Sequence, residues 1–116
     1  MPSGGVRVLT LLERRPDLTH EEFLDHWEDV HAPLAQQLPG LLTYSQTEVH
    51  RAARPPEEPG LIAADGIAEL TFASREDRSA AYATLQGRRL LEDGSHFVGR
   101  SQSWVVGARR VLRPSS

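Results

Sequence analysis

The sequence predicts an α+β fold, a ferredoxin-like βαββαβ unit with a four-stranded antiparallel sheet and both helices on one face. Three observations predict it. The elements read in the order strand, helix, strand, strand, helix, strand. Each helix joins two candidate strands and so forms a right-handed crossover. The chain has 116 residues, enough to bury one core but not two, so residues 1–116 are expected to form a single domain.

Residues 6–13, VRVLTLLE, are short, β-branched at the start and apolar, and read as a strand buried on both faces. RRPD then turns the chain. Thr19 opens the first helix: Thr19 and Glu22 form a capping box, with Leu18 and Phe23 at the bracketing apolar positions. Glu21, Glu22 and Asp25 lie near the positive end of its dipole. Phe23, Trp27, Val30, Leu34 and Leu38 recur at spacings of three and four and give one apolar stripe. Pro33 cannot sit in an unbroken helix interior, because its ring meets the carbonyl of Asp29, so a kink or restart is expected near Ala32 with Pro33 in a first turn.

Pro39-Gly40 ends that element, and residues 41–49 read as the second strand. Residues 51–65, with Pro, Glu and Arg but no periodicity, read as a long loop. Residues 66–73 alternate as the third strand. Ser74 with Asp77 caps a second helix, REDRSAAYATLQ, which Gly87 is expected to end. GRRLLEDGSHF reads as irregular or as one short turn, and residues 101–112 as the fourth strand. Strands one and four carry apolar residues on both faces, so the uncovered sheet face is expected to pack on an identical sheet from a second copy.

Composition excludes several chemistries. There is no cysteine, hence no disulfide, thiolate zinc site or catalytic thiol, which fits a reducing, cytoplasmic setting. Lysine is absent too, which removes Schiff-base and P-loop chemistry. MPSGGVRV shows no signal peptide, and no apolar run reaches membrane-spanning length. The net charge is −3, and the small cluster Arg109, Arg110, Arg113 reads as a solvated strand end, not a nucleic-acid patch. Gly4-Gly5 is no dinucleotide loop, and there is no serine elbow.

The chemistry-bearing candidates are His26 and His31, on the first helix with Trp27 between them. At about 100° per residue they project roughly 140° apart, one on each edge of the apolar stripe. That spacing is poor for two-point metal ligation. HEEFL at His20 resembles the start of a zinc-protease helix, but Leu24 stands where the second histidine belongs, so no metal is expected. Imidazole exchanges a proton near neutrality without a large shift, so either histidine could serve as general acid or base at a helix–sheet pocket. Alternatively, one hydrogen-bonds a backbone carbonyl and His31 braces the kink. Tyr44 and Glu69 lie on candidate strands whose parity the sequence leaves open. His96, beside Ser95, and His50, at a strand end, read as solvated.

The run RRPDLTHEEFLDHWEDVHAPLAQQLPGLLTY resembles the EthD-like family of the dimeric α/β-barrel superfamily. Phe23, His26-Trp27, His31-Ala32-Pro33-Leu34 and Pro39-Gly40 match its pattern, and DGIAELTFASRED and FVGRSQSWVV resemble later segments. The resemblance implies a ferredoxin-like protomer, a homodimer whose sheets form a barrel, and a pocket between sheet and helices in each protomer. It also implies kinship with polyketide cyclases, pigment-pathway dehydratases, muconolactone-type isomerases and cofactor-free monooxygenases. His26 and His31 match the motif directly; His50 and His96 do not belong to it. The loop 51–65 is expected to shape the entrance. The expected activity is a cofactor-independent dehydration, cyclisation or isomerisation of a hydrophobic, enolisable substrate of polyketide or aromatic metabolism. His26 and His31 are its candidate catalytic groups, with Tyr44 and Glu69 behind them. Phe23, Trp27, Leu34, Phe72 and Trp104 are the candidate substrate-binding residues. The alternatives are a cofactor-free monooxygenase and a non-catalytic small-molecule-binding or accessory dimer.

Overall fold

A computed structural model of the chain describes residues 5–54 and 60–115. The elements run β1 (Val6–Arg14), α1 (His20–His26), a π-helical turn (Trp27–His31), α2 (Ala32–Ala35), β2 (Leu41–Glu48), β3 (Gly66–Phe72), α3 (Arg75–Tyr82), α4 (Leu85–Gly94) and β4 (Val98–Val106). The sheet is antiparallel with strand order β2-β3-β1-β4, the arrangement that two crossovers of this kind produce. Val8 lies opposite Leu70 and Val105, Leu9 opposite Glu69 and Trp104, and Tyr44 opposite Leu70. No helix among the described residues is long and apolar enough to cross a membrane.

Side chains alternate across β3. Gly66, Ala68, Leu70 and Phe72 are buried toward the helices, while Ile67, Glu69 and Thr71 face the other side. The core lies between that face and the helices, with Phe23, Trp27, Leu38, Leu70, Phe72, Leu90 and Phe97 in one cluster. Of β1, Val6, Val8 and Leu12 join the helix side, while Leu9 and Leu11 are half-buried on the open face. The expectation that β1 is buried on both faces therefore does not hold for the single chain, whose outer sheet face has no cover among the described residues.

The helix signals act as read. Thr19 accepts from the Glu22 N–H at 3.1 Å, and Glu22 accepts from the Thr19 N–H at 2.9 Å, closing the capping box. Pro33 stands in the first turn of α2, after the π turn. Ser74 caps α3 through the Asp77 N–H at 3.0 Å.

Two boundaries differ. The segment expected to be irregular holds α4, ten residues long, which Thr84 caps by accepting from the Gly87 N–H at 3.1 Å. Gly87 does not end a helix: a β-carbon there would lie 2.5 Å from the Ala81 carbonyl oxygen, so glycine is what lets α4 pack against the end of α3. The fourth strand starts at Val98 and stops at Val106, earlier at both ends than expected. Val106 pairs with Arg7, one residue from the start of β1 at Val6. Of the expected loop 51–65, residues 55–59 lie outside the described residues.

Two stability measurements follow. Thr19→Ala removes one partner of the box and is expected to lower unfolding free energy by about 1 kcal/mol in urea denaturation. Gly87→Ala forces a methyl against backbone that cannot yield and is expected to cost about 1–3 kcal/mol in the same assay.

Candidate functional site

The site begins with the π turn. The Ala32 N–H bonds the Trp27 carbonyl, five residues back, so the chain makes a wider turn just before Pro33. A wider turn holds more residues, and positions five apart come round toward one side. His26 and His31 therefore do not diverge on two rims, as regular α-helical phase requires. They converge on one carboxylate.

That carboxylate is Asp93 of α4. His26 Nε2 lies 2.9 and 3.1 Å from its two oxygens, and His31 Nδ1 lies 2.9 Å from Oδ2. Asp93 is 8% exposed, three residues after the buried Leu90 on the same helix face. Phe97, fully buried, stacks on the His26 ring at 4.7 Å and meets the His31 ring edge-on at 4.9 Å. Both imidazoles are thus held by a side-chain carboxylate and an aromatic ring, not by a backbone carbonyl.

With the carboxylate accepting, Nδ1 of His31 carries the hydrogen, and Nε2 is the ring nitrogen left to act. Burial pushes the His31 imidazole below its ordinary value, and this outweighs Asp93, which favours the charged form, while nearby His26 opposes it. His31 is therefore a neutral, oriented base at neutral pH.

His31 lines a cavity of about 900 Å³ between the helices and the sheet. Trp27, Tyr44, Leu70, Arg78 and Tyr82 are among its other walls. Gln46 Nε2 donates to the Tyr44 hydroxyl oxygen at 2.8 Å and to the Trp27 carbonyl at 3.0 Å. The Tyr44 O–H is then free to donate elsewhere. Burial raises the Tyr44 phenol, against the hydrogen bonds from Gln46 and Trp27 that favour its anion, so it stays protonated. The Trp27 side chain is 2% exposed, and its indole N–H finds no well-formed hydrogen bond among the described residues.

The remaining candidates divide. His26 holds Asp93 but does not line the cavity. Phe23 and Phe72 are 0% and 1% exposed, core residues with no surface left for a substrate. Leu34 borders a separate, shallow cleft of about 260 Å³ with Asp93 and His96. Trp104 and Glu69 lie on the opposite sheet face, where Glu69 accepts from Arg7 at 2.9 Å. Neither can reach the cavity. His20 is spent on Asp65, at 2.7 Å. Asp93 and Arg78 were not legible as site residues. The signal for Asp93 is an acid three positions after Leu90 on an apolar helix face, visible only once Thr84 is taken as a cap.

The EthD domain profile matches residues 15–101. No protein of curated function matches the chain in sequence. Among solved structures, an ethyl tert-butyl ether D (EthD) family protein from Bacillus halodurans superposes with a TM-score of 0.73 at 22% identity, covering 90% of this chain and 99% of that one. A dimeric ferredoxin-like protein of unknown function from Thermobifida fusca gives 0.68 at 13% identity, over 93% and 95%. SnoaB, a cofactor-independent oxygenase from Streptomyces nogalater, gives 0.65 at 12% identity, over 97% and 100%. These likenesses establish the fold. The profile spans most of the chain and includes the histidine-bearing helix, β3 and the start of β4, and the chain belongs to the EthD domain family.

Proposed function

We propose that residues 1–116 form one cytoplasmic domain that works as a cofactor-independent acid–base enzyme on a hydrophobic, enolisable small molecule of polyketide or aromatic type. The observation that carries this reading is His31: neutral, oriented through Nδ1 by Asp93, and set in the wall of a cavity rich in apolar groups. Nε2 takes a proton from a carbon next to a carbonyl. The electrons of that C–H bond move to the carbonyl oxygen, where the Tyr44 O–H donates to the enolate. Asp93 stabilises the imidazolium that forms, the role a carboxylate plays behind any catalytic imidazole. The proton then returns to a leaving oxygen in dehydration, or to another carbon in isomerisation. In cyclisation the enolate carbon attacks a second carbonyl, and the proton goes to the new alkoxide. His26 acts as a positioning residue, since it holds the second side of Asp93 and stands outside the cavity.

The similarity to SnoaB, named a cofactor-independent oxygenase, favours a second reading in which the same carbanion reacts with dioxygen. Both readings need the same base.

The protomer is proposed to pair with a second copy through its open sheet face. Leu9, Leu11, Ile67 and Trp104 give that face an apolar centre, with the Arg7–Glu69 pair beside it, and similar structures are described as dimeric. Light scattering at micromolar concentration is expected to give twice the protomer mass, and Leu11→Arg is expected to give a monomer. A wild-type monomer would overturn this packing.

Proton abstraction is testable before the natural substrate is known. NMR of 2-tetralone and aromatic β-diketones in heavy water reads exchange of their acidic carbon-bound hydrogens. The chain is expected to accelerate it, and His31→Gln to lose roughly 100- to 10,000-fold of that rate. The base is active when neutral, and its value is depressed. The rate is therefore expected to hold as pH falls through the ordinary imidazole value of about 6.5 and to drop only below it. A folded His31→Gln protein with the wild-type rate would make both histidines structural.

A further inference from the structure

We infer that Arg78 is an anion-binding residue of the cavity, and that the ligand carries a carboxylate or comparable oxyanion beside its apolar body. Three of the arginines among the described residues are half-buried: Arg7, Arg15 and Arg78. Arg7 pairs with Glu69 at 2.9 Å and Arg15 with Asp17 at 3.0 Å. Arg78 pairs with no carboxylate among the described residues, and its Nε is buried there without a hydrogen-bond partner.

A guanidinium taken from water without a counter-ion is costly, and proteins normally avoid it. Little nearby offsets that cost. Arg78 sits in the first half of α3, where the helix dipole is positive and disfavours a cation. The compensating contact is the face of Tyr82, whose ring centroid lies 5.3 Å from the guanidinium carbon. That contact holds the group in place and leaves its N–H edge for another partner. The edge belongs to a cavity wall that also holds Ser79 and Tyr82. A guanidinium is a planar fork of donors, and one in the wall of a cavity of mixed polar and apolar lining matches an oxyanion in two-point fashion.

The other polar groups agree. The Tyr44 O–H and Arg78 both donate, and His31 Nε2 is the base beside them. A ligand that satisfies this set is rich in acceptor oxygens. The inference rests on the cavity being a ligand site, as proposed above, and not on His31 acting as a base.

The test compares two isosteric probes, 2-naphthoate and 2-naphthamide, by titration calorimetry near neutral pH. The wild type is expected to bind the naphthoate roughly tenfold or more tightly, the factor a charge-assisted hydrogen bond carries. Arg78→Met should erase that preference and leave naphthamide binding within about twofold, since the apolar stem is kept. Arg78→Lys should keep part of it. In the wild type, the Arg78 Nε–H resonance should shift on adding naphthoate and not on adding naphthamide, a readout that needs no variant to fold. Equal affinities in the wild type, no binding of either probe, or an unmoved Arg78 resonance would overturn the inference. So would a preference lost in His31→Gln and kept in Arg78→Met, which would place the anion on His31. Retained naphthoate preference with no exchange catalysis would leave Arg78 standing and sink the base.

Discussion

Pro33 is the constraint on which the site depends. It has no N–H, and its ring will not fit under a regular helical turn, so a helix starting at Thr19 cannot run straight through to Ala35. The chain absorbs this with one wide turn, Trp27–His31, and restarts with Pro33 in a first turn, where its missing N–H is harmless. The wide turn changes the phase between His26 and His31, and only with that change do both rings reach Asp93. A helix with alanine at 33 has no local reason to widen, and its two histidines would return to opposite edges of the stripe.

Two buried carboxylates organise the protomer, and their partners set what each can do. Asp65, 3% exposed, joins the end of β1, the start of β3 and the start of α1. It accepts from the Arg14 N–H and guanidinium, each at 2.8 Å, and from His20 at 2.7 Å. Burial pushes its carboxyl up, but these bonds to the charged form outweigh burial and hold it below the ordinary value. Such a group stabilises the fold above the ordinary carboxylate range and stops doing so as pH falls through its depressed value. It is a clamp with a permanent cation. Asp93 faces two imidazoles and no guanidinium among the described residues, so neither of its partners is a permanent cation. That difference separates a structural network from one suited to proton transfer.

What could be read from the sequence was local. The Thr19–Glu22 box, the Ser74 cap, the restart at Pro33 and the order of strands each need only a few neighbouring residues, and each stands in the fold. What could not be read depends on distant contact. Gly87 looks like a helix stop because its lack of a side chain is visible and the Ala81 carbonyl it must clear is not. Losing α4 also hid Asp93. The sides taken by Tyr44 and Glu69 depend on register with β3 and β1, and a register shift between Leu41 and Thr43 lies ahead of Tyr44. Phe23 and Phe72 share their apolar character with pocket-lining residues, and only packing shows that no space adjoins them. Arg78 sits in a charged, solvent-like stretch, REDRS, where nothing distinguishes one arginine from its neighbour.

The cavity itself traces to small residues on one face of the sheet. On the helix side, β3 begins Gly66, Ala68, and β4 offers Ser101 and Ser103. A β-carbon at Gly66 would lie 2.4 Å from the Trp27 ring, so glycine there is what seats the indole against the strand. With Trp27 seated and short side chains beyond it, the layer does not close, although interiors normally pack without voids of this size. Leucine or phenylalanine at those positions would fill the space and gain buried apolar area. The protein forgoes that stabilisation where His31, Tyr44 and Arg78 line the same opening. Larger side chains at Ala68 or Ser103 would then strengthen the core while filling the cavity that the π turn, α3 and β2 also line.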